Sequence, residues 1–172
     1  MDSYKGYKAY PFLYDKPEDL RCDFEILTDE ITSFIGLVKS YVEDEVISNE
    51  LEKMGMLMYH VNPALRMKTE IYPEEMEWLF DVCKVYTEDL RSKFDKFVLP
   101  QGTTSASTAH VVRTKCKSMV RLLHRHRENG NEVDSILFDF ANLSSQYFFL
   151  LSLKLNDIEG VEELQFKSRS YK

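Results

Sequence analysis

The chain has 172 residues, enough for one domain around a single buried core and too few for a second independent one. With 44% hydrophobic and 30% charged residues it is too apolar for a disordered chain, and a formal net charge of −7 excludes global attraction to nucleic acid or to an anionic membrane surface. Any anion site must therefore be local. Six glycines and five prolines leave few turn signals, which disfavours a sandwich or barrel and favours long helices. Cys22, Cys83 and Cys116 are odd in number and widely spaced, with no CxxC pair and no secretory leader ahead of them, so they read as free thiols in a reducing cytoplasm. No stretch approaches the roughly 20 uninterrupted apolar residues of a membrane span.

Residues 1–21 mix Tyr4, Tyr7, Tyr10, Phe12 and Tyr14 with Lys5, Lys8 and Lys16, and Gly6, Pro11 and Pro17 interrupt any helical period, so an irregular aromatic and basic arm is expected. From Cys22, the apolar set Leu27, Ile31, Phe34, Ile35, Val38 and Val42 recurs at three- and four-residue steps and predicts a first helix ending near Asp44. Ser48 is the expected cap of a second helix, which Asn62-Pro63 stops. Pro73, Glu74 and Glu75 suit the first turn of a third helix running to about Lys96. A fourth is predicted from about Thr104 to Glu128 with Gly130 as its stop, and a fifth through Val133, Leu137, Phe140, Tyr147 and Leu151 to just before Gly160. The expected architecture is an all-α five-helix bundle over residues 22–158. A polar tail, 159–172, is expected to fray.

Two places along this pattern could carry chemistry. On a helical wheel, Ala109, Val112, Cys116, Met119 and Leu123 form the apolar arc of the fourth helix, and His110, Arg113, Lys117, Arg121 and His124 form a basic arc beside it. A basic arc is ordinarily a solvated flank. Arg113, however, sits on the apolar edge, where a guanidinium needs a carboxylate or an anionic ligand to offset desolvation. Asp29 of the first helix is a candidate partner, although it could equally lie on a polar face. The second place is Phe97-Val98-Leu99-Pro100-Gln101-Gly102-Thr103, an apolar connection that something should cover. It can either plug the bundle end or let Phe97 line a pocket for a large flat ligand.

These residues resemble a known family. The Phe97 to Thr103 run, then His110 and Arg113-Thr114, then Asn142 with Tyr147-Phe148-Phe149, together with Thr28-Asp29-Glu30-Ile31 before Gly36, is similar to the ATP:corrinoid adenosyltransferases of the propanediol-utilisation type. The resemblance implies a homotrimer with active sites between subunits. There the 5′-deoxyadenosyl group of ATP, bound with Mg2+, passes to the cobalt of a reduced corrinoid such as cob(I)alamin, and triphosphate leaves. It further implies that Phe97, Asp29 and Arg113 form the catalytic and corrinoid-binding set. Phe97 would exclude the axial base of the corrin and the other two would form a supporting ion pair. Lys117 and Asn142, with Lys5 and Lys8 of the arm, fall to the nucleotide side. No metal ligand set is implied; no Glu-x-x-His pair is present, and His124-x-His126 points to opposite sides of a helix.

The sequence also departs from that family. Its Gly-rich phosphate loop, Thr-x-x-Gly-Asp-x-Gly-x-Thr, is replaced by Ser3-Tyr4-Lys5-Gly6-Tyr7-Lys8, whose single glycine restricts backbone approach to phosphates. Lys117 stands for an arginine, Ser118 for another, Val120 for a glutamate, Gln101 for a glycine and Gln146 for an aspartate. Two functions stay open on sequence alone. One is a corrinoid adenosyltransferase with an altered nucleotide arm. The other is a degenerate member that binds a corrinoid or a protein partner without using ATP.

Overall fold

The computed structural model describes residues 11–91 and 97–170. Among them are five α-helices, α1 (Leu20–Lys39), α2 (Glu45–Val61), α3 (Pro73–Asp89), α4 (Thr104–Glu128) and α5 (Ser135–Ile158), preceded by a 3-10 turn at Pro11–Tyr14. The β structure among these residues is one isolated antiparallel bridge, Val98 with Gln165.

Local chemistry sets where each helix starts. The Asp19 carboxylate accepts from Arg21 N, Asp44 from Ile47 N, the Thr103 hydroxyl from Ala106 N and Asp134 from Ile136 N, each filling an orphan donor of a first turn. At α3, Pro73 occupies the first position and the Glu75 carboxylate reaches back to Tyr72 N at 2.9 Å. Expected boundaries shift accordingly. The first helix begins at Leu20 because Asp19, in the expected arm, caps it, and it ends at Lys39 rather than near Asp44, which instead caps α2 in place of Ser48. The third helix ends at Asp89, not near Lys96, because Leu90 turns the chain there and is itself fully buried.

The helices pack in the order α2, α1, α4, α5, α3, and side chains of α3 reach back to α2. The return runs through a carboxylate: Glu50 of α2 accepts from the Tyr86 hydroxyl of α3 at 2.7 Å and from the Tyr147 hydroxyl of α5 at 3.3 Å. Lys53 of α2 lies 3.9 Å above the Trp78 ring of α3. Phe24, Ile31, Ile35, Leu51, Met54, Met58, Leu79, Met119, Phe140, Tyr147 and Phe148 are almost wholly shielded and make one continuous core. By length and composition alone α5 could cross a membrane, yet most of it is buried against the other helices, as a core helix is.

Through Phe166 the C-terminal tail is held in place rather than frayed. Leu99 N donates to Leu164 O at 2.8 Å and Phe166 N to Phe97 O at 2.7 Å, so the tail lies antiparallel to the connection before α4. Near the opposite end, Asn62 does more than stop α2, donating from Nδ2 to both Glu25 O and Thr28 Oγ1 of α1 at 2.8 Å. Arg66 follows in the next turn. Its Nε meets Glu25 and its Nη2 meets Asp15, both at 2.5 Å, so one guanidinium ties the entry segment to α1.

Both contacts are largely shielded. Arg66→Met should cost roughly 1–3 kcal/mol in denaturant unfolding, because it leaves Glu25 underpaired inside the fold. A midpoint equal to that of the wild type would show that the network contributes nothing net.

Candidate functional site

The sequence-predicted residues fall on two faces. Ser145 of α5 donates to Arg113 O of α4 at 3.4 Å, Ser152 Oγ stands 3.4 Å from His110 Nδ1, and the His124 and Phe138 rings are 4.7 Å apart. These contacts fix the antiparallel register of the α4/α5 seam. Stepping one turn from Ser145 opposite Arg113 brings Asn142 to the level of Lys117. Both are exposed. Asn142 also borders a groove of about 600 Å³ between α3 and α5, walled by Met76, Phe80, Leu143 and Gln146.

Phe97 stands at the head of this seam, where α4 begins and α5 ends. The expected cover over the connection is only partial. The tail satisfies its backbone, while the Phe97 ring remains 78% exposed because it points away from the bundle. Leu164 and Phe166, each 50% exposed, lie on the paired strand and extend the apolar patch around Phe97. Sequence reasoning missed these two; the signal was the apolar-polar alternation Leu164-Gln165-Phe166 inside an otherwise polar tail.

Asp29 is elsewhere. It is exposed on the side of α1 that faces α2, accepts from the Tyr59 hydroxyl at 3.0 Å, and lines a cavity of about 430 Å³ with Leu13, Cys22, Ile26 and Tyr59. Within one chain it makes no ion pair with Arg113. The carboxylate of α1 that does meet α4 is its neighbour Glu30, paired with Lys115 at 2.7 Å. One residue changes the helix direction by about 100°, which is why the two acidic groups serve different neighbours.

Two nitrogens on the seam lack partners. Arg113 Nε is buried without a hydrogen bond, and burial lowers the pKa of its guanidinium. His110 is 3% exposed and its Nε2 is likewise unsatisfied. The Ser152 hydroxyl donates to Phe149 O at 2.6 Å, so toward His110 it can only accept, which puts the imidazole proton on Nδ1 and leaves a lone pair at Nε2. Burial first, and the Arg113 charge second, pull the pKa of His110 down to about 4. It is neutral at physiological pH.

The basic arc of α4 therefore divides. His110 is core, Arg113 and His124 are half-buried, and Lys117 and Arg121 are solvated. Lys5 and Lys8 lie outside the described residues. Among the described residues no group of three or more His, Cys, Asp and Glu side chains could hold a metal ion. The face as a whole offers an exposed aromatic patch at one end and fixed positive charge, with an amide opposite, some 20 Å along the helix.

The cobalamin adenosyltransferase family model matches residues 18–155, from the cap of α1 to the last turns of α5. The chain belongs to this family. Among its relatives, the corrinoid adenosyltransferase of Bacillus subtilis (strain 168) is 24% identical over 159 residues, 87% of this chain and 81% of that protein. Among solved structures, a phenylalanine-to-histidine variant of the PduO-type ATP:corrinoid adenosyltransferase from Lactobacillus reuteri, complexed with cobalamin and ATP, superposes with a TM-score of 0.78. That match has 26% identity and covers 87% of this chain and 85% of the other. An arginine-to-lysine variant from the same organism, complexed with ATP, gives 0.76 at 28% identity, covering 87% and 88%.

Two outcomes test this geometry. Removing Arg113 strands no carboxylate within the chain, so Arg113→Ala should leave the isolated chain within about 1 kcal/mol of wild type by chemical denaturation. A loss of several kcal/mol that does not change with protein concentration would restore the intramolecular pair. His110, neutral when folded, accepts its proton near pH 6.5 when unfolded and only near 4 when folded, so its stabilisation is complete above the first value and lost as pH falls toward the second. The wild type should lose about 2–3 kcal/mol more than His110→Gln between pH 7 and 4.5. Parallel pH profiles would place a charged or solvated imidazole here.

Proposed function

We propose that this protein transfers the 5′-deoxyadenosyl group of ATP to the cobalt of a reduced corrinoid, cob(I)alamin being the substrate to test first. The observation that carries this reading is the exposed Phe97 ring at the head of a seam that also carries Arg113 and Lys117. A corrin is large, flat and mostly apolar, and it can lie on Phe97 with Leu164 and Phe166 beside it. A ring there denies the cobalt its lower axial ligand and favours the low-coordinate reduced metal. In the transfer, cobalt(I) supplies both electrons of the new cobalt–carbon bond, the bond between C5′ and the α-phosphate oxygen breaks, and triphosphate carries away the negative charge. Fixed cations stabilise that leaving charge. Lys117, with Asn142 at its level on α5, is proposed for the nucleotide side, and the segment ahead of α1 for bringing Lys5 and Lys8, and with them Mg2+-ATP, to the cleft.

Asp29 and Arg113 lie on different faces of one chain, and the family resemblance assigns both to the site. This supports a homotrimer in which Asp29 of one copy approaches Arg113 of the next, giving the buried Nε its missing partner. The free thiols of Cys22, Cys83 and Cys116 suit a reducing cytoplasm. The altered glycine loop supports a second reading, a member that binds a corrinoid but not ATP.

One titration decides between them. Purified protein given ATP and cobalamin under strong reduction should form the adenosylated product, visible in the corrinoid spectrum. Phe97→Ala should keep the wild-type melting temperature, its ring being solvent-exposed, and lose on the order of tenfold or more in turnover. Corrinoid binding without ATP binding would establish the second reading, and binding of neither would exclude both.

A further inference from the structure

Asn156, near the C-terminal end of α5, is 1% exposed, and both polar atoms of its side chain are engaged. Oδ1 accepts from Thr103 N at 2.9 Å. Nδ2 donates to Gln101 O at 3.0 Å and to Glu163 Oε1 at 2.8 Å. One amide thus joins three segments: the last turns of α5, the root of the Phe97 connection, and the tail residue just before Leu164. Its own carbonyl accepts from Val161 N at 2.8 Å, starting the tail's return. The close approach depends on Gly102, where φ is +132° and an added Cβ would fall 2.0 Å from Asn156 Oδ1.

The strand pair that displays Phe97, Leu164 and Phe166 carries two backbone hydrogen bonds, too few to hold a position alone. Both of its strands are rooted on the same buried side chain. We propose that Asn156 is a positioning residue for corrinoid adenosylation. It holds the connection and the tail as one rigid platform, so that the Phe97 ring stands at a fixed height and angle against the corrin. The proposal rests on the adenosyltransferase reading and adds a residue to it. Asn156 touches no substrate and acts through Phe97.

An amide is required because the contacts demand donor and acceptor at once. Asn156→Asp keeps size and the acceptor for Thr103 N, but in mildly alkaline buffer it sets a carboxylate against the Gln101 carbonyl and the Glu163 carboxylate. Adding Glu163→Gln restores a donor facing that carboxylate. The test is therefore a single variant against its double, read in two ways.

Without substrate, hydrogen exchange over residues 97–103 and 161–167 should accelerate on the order of tenfold in Asn156→Asp, while the cores of α1, α4 and α5 stay protected, and should slow again in the double variant. With substrates, turnover should fall on the order of tenfold, with a larger fraction of bound corrinoid keeping its axial base and the KM for ATP within about twofold. The double variant should recover both. Wild-type exchange and turnover in a folded Asn156→Asp, or a double variant no better than the single one, would overturn the positioning role.

If Asn156→Asp fails to fold, Glu163→Leu, which removes the tail's bond to Asn156 and leaves the amide's other two bonds in place, should still accelerate exchange over 161–167 and lower turnover; unchanged values would overturn the role equally. A wild type that neither binds nor adenosylates a corrinoid would overturn the transferase reading, and the positioning role with it. Unchanged exchange in an active enzyme's Asn156→Asp variant would overturn the positioning role alone.

Discussion

Helices α4 and α5 lie closely side by side, and both bury small residues: Ser105, Ala106 and Ala109 in α4, and Ala141, Ser144, Ser145 and Ser152 in α5. Small side chains let two long helices approach closely, and close approach fixes their register. Most of the candidate site follows from that constraint. It brings Asn142 to Lys117, seats His110 between Ser152 and Phe149, and presses Arg113 against the edge where its Nε loses water. Long or branched residues on the seam would separate the helices and rehydrate those nitrogens.

The same seam explains why polar chemistry collects at its ends and flanks. At the head, Asn156 resolves the competing demands of a helix C-terminus, a helix N-terminus and a returning tail with one amide. Across the bundle, Glu50 holds α3 to α2 and α5 through two tyrosine hydroxyls. Burial raises its pKa, which these hydrogen bonds partly oppose. The core beneath is apolar and continuous, so the fold does not depend on the charged groups of the α4 flank. Those groups are available for ligands.

Much of this was legible in the residues. The three- and four-residue spacing of apolar side chains located all five helices, and Thr104 to Glu128 matched its expected span because Thr103 and Gly130 are unambiguous end signals. The ends that moved were set by Asp19, Asp44 and Leu90, where a cap or a buried side chain competes with periodicity. Phe97, Arg113 and Lys117 were marked by type and spacing, and Asn142 by the family resemblance alone. The tail was misread because a two-bond strand pairing between residues 97–99 and 164–166 leaves almost no periodic trace.

The sequence by itself determined the helix count, the apolar stripes and the residues that set this chain in its family, because these rest on local geometry and residue type. Tertiary structure decided which charges meet. Asp29 and Glu30 are adjacent in sequence, yet a rotation of about 100° sends one to Tyr59 and the other to Lys115, and no spacing rule chooses between them. It also decided that His110 is neutral, that Arg113 lacks a partner within its own chain, and that Leu164 and Phe166 stand beside Phe97. Burial and long-range pairing are properties of the packed bundle rather than of any one helix.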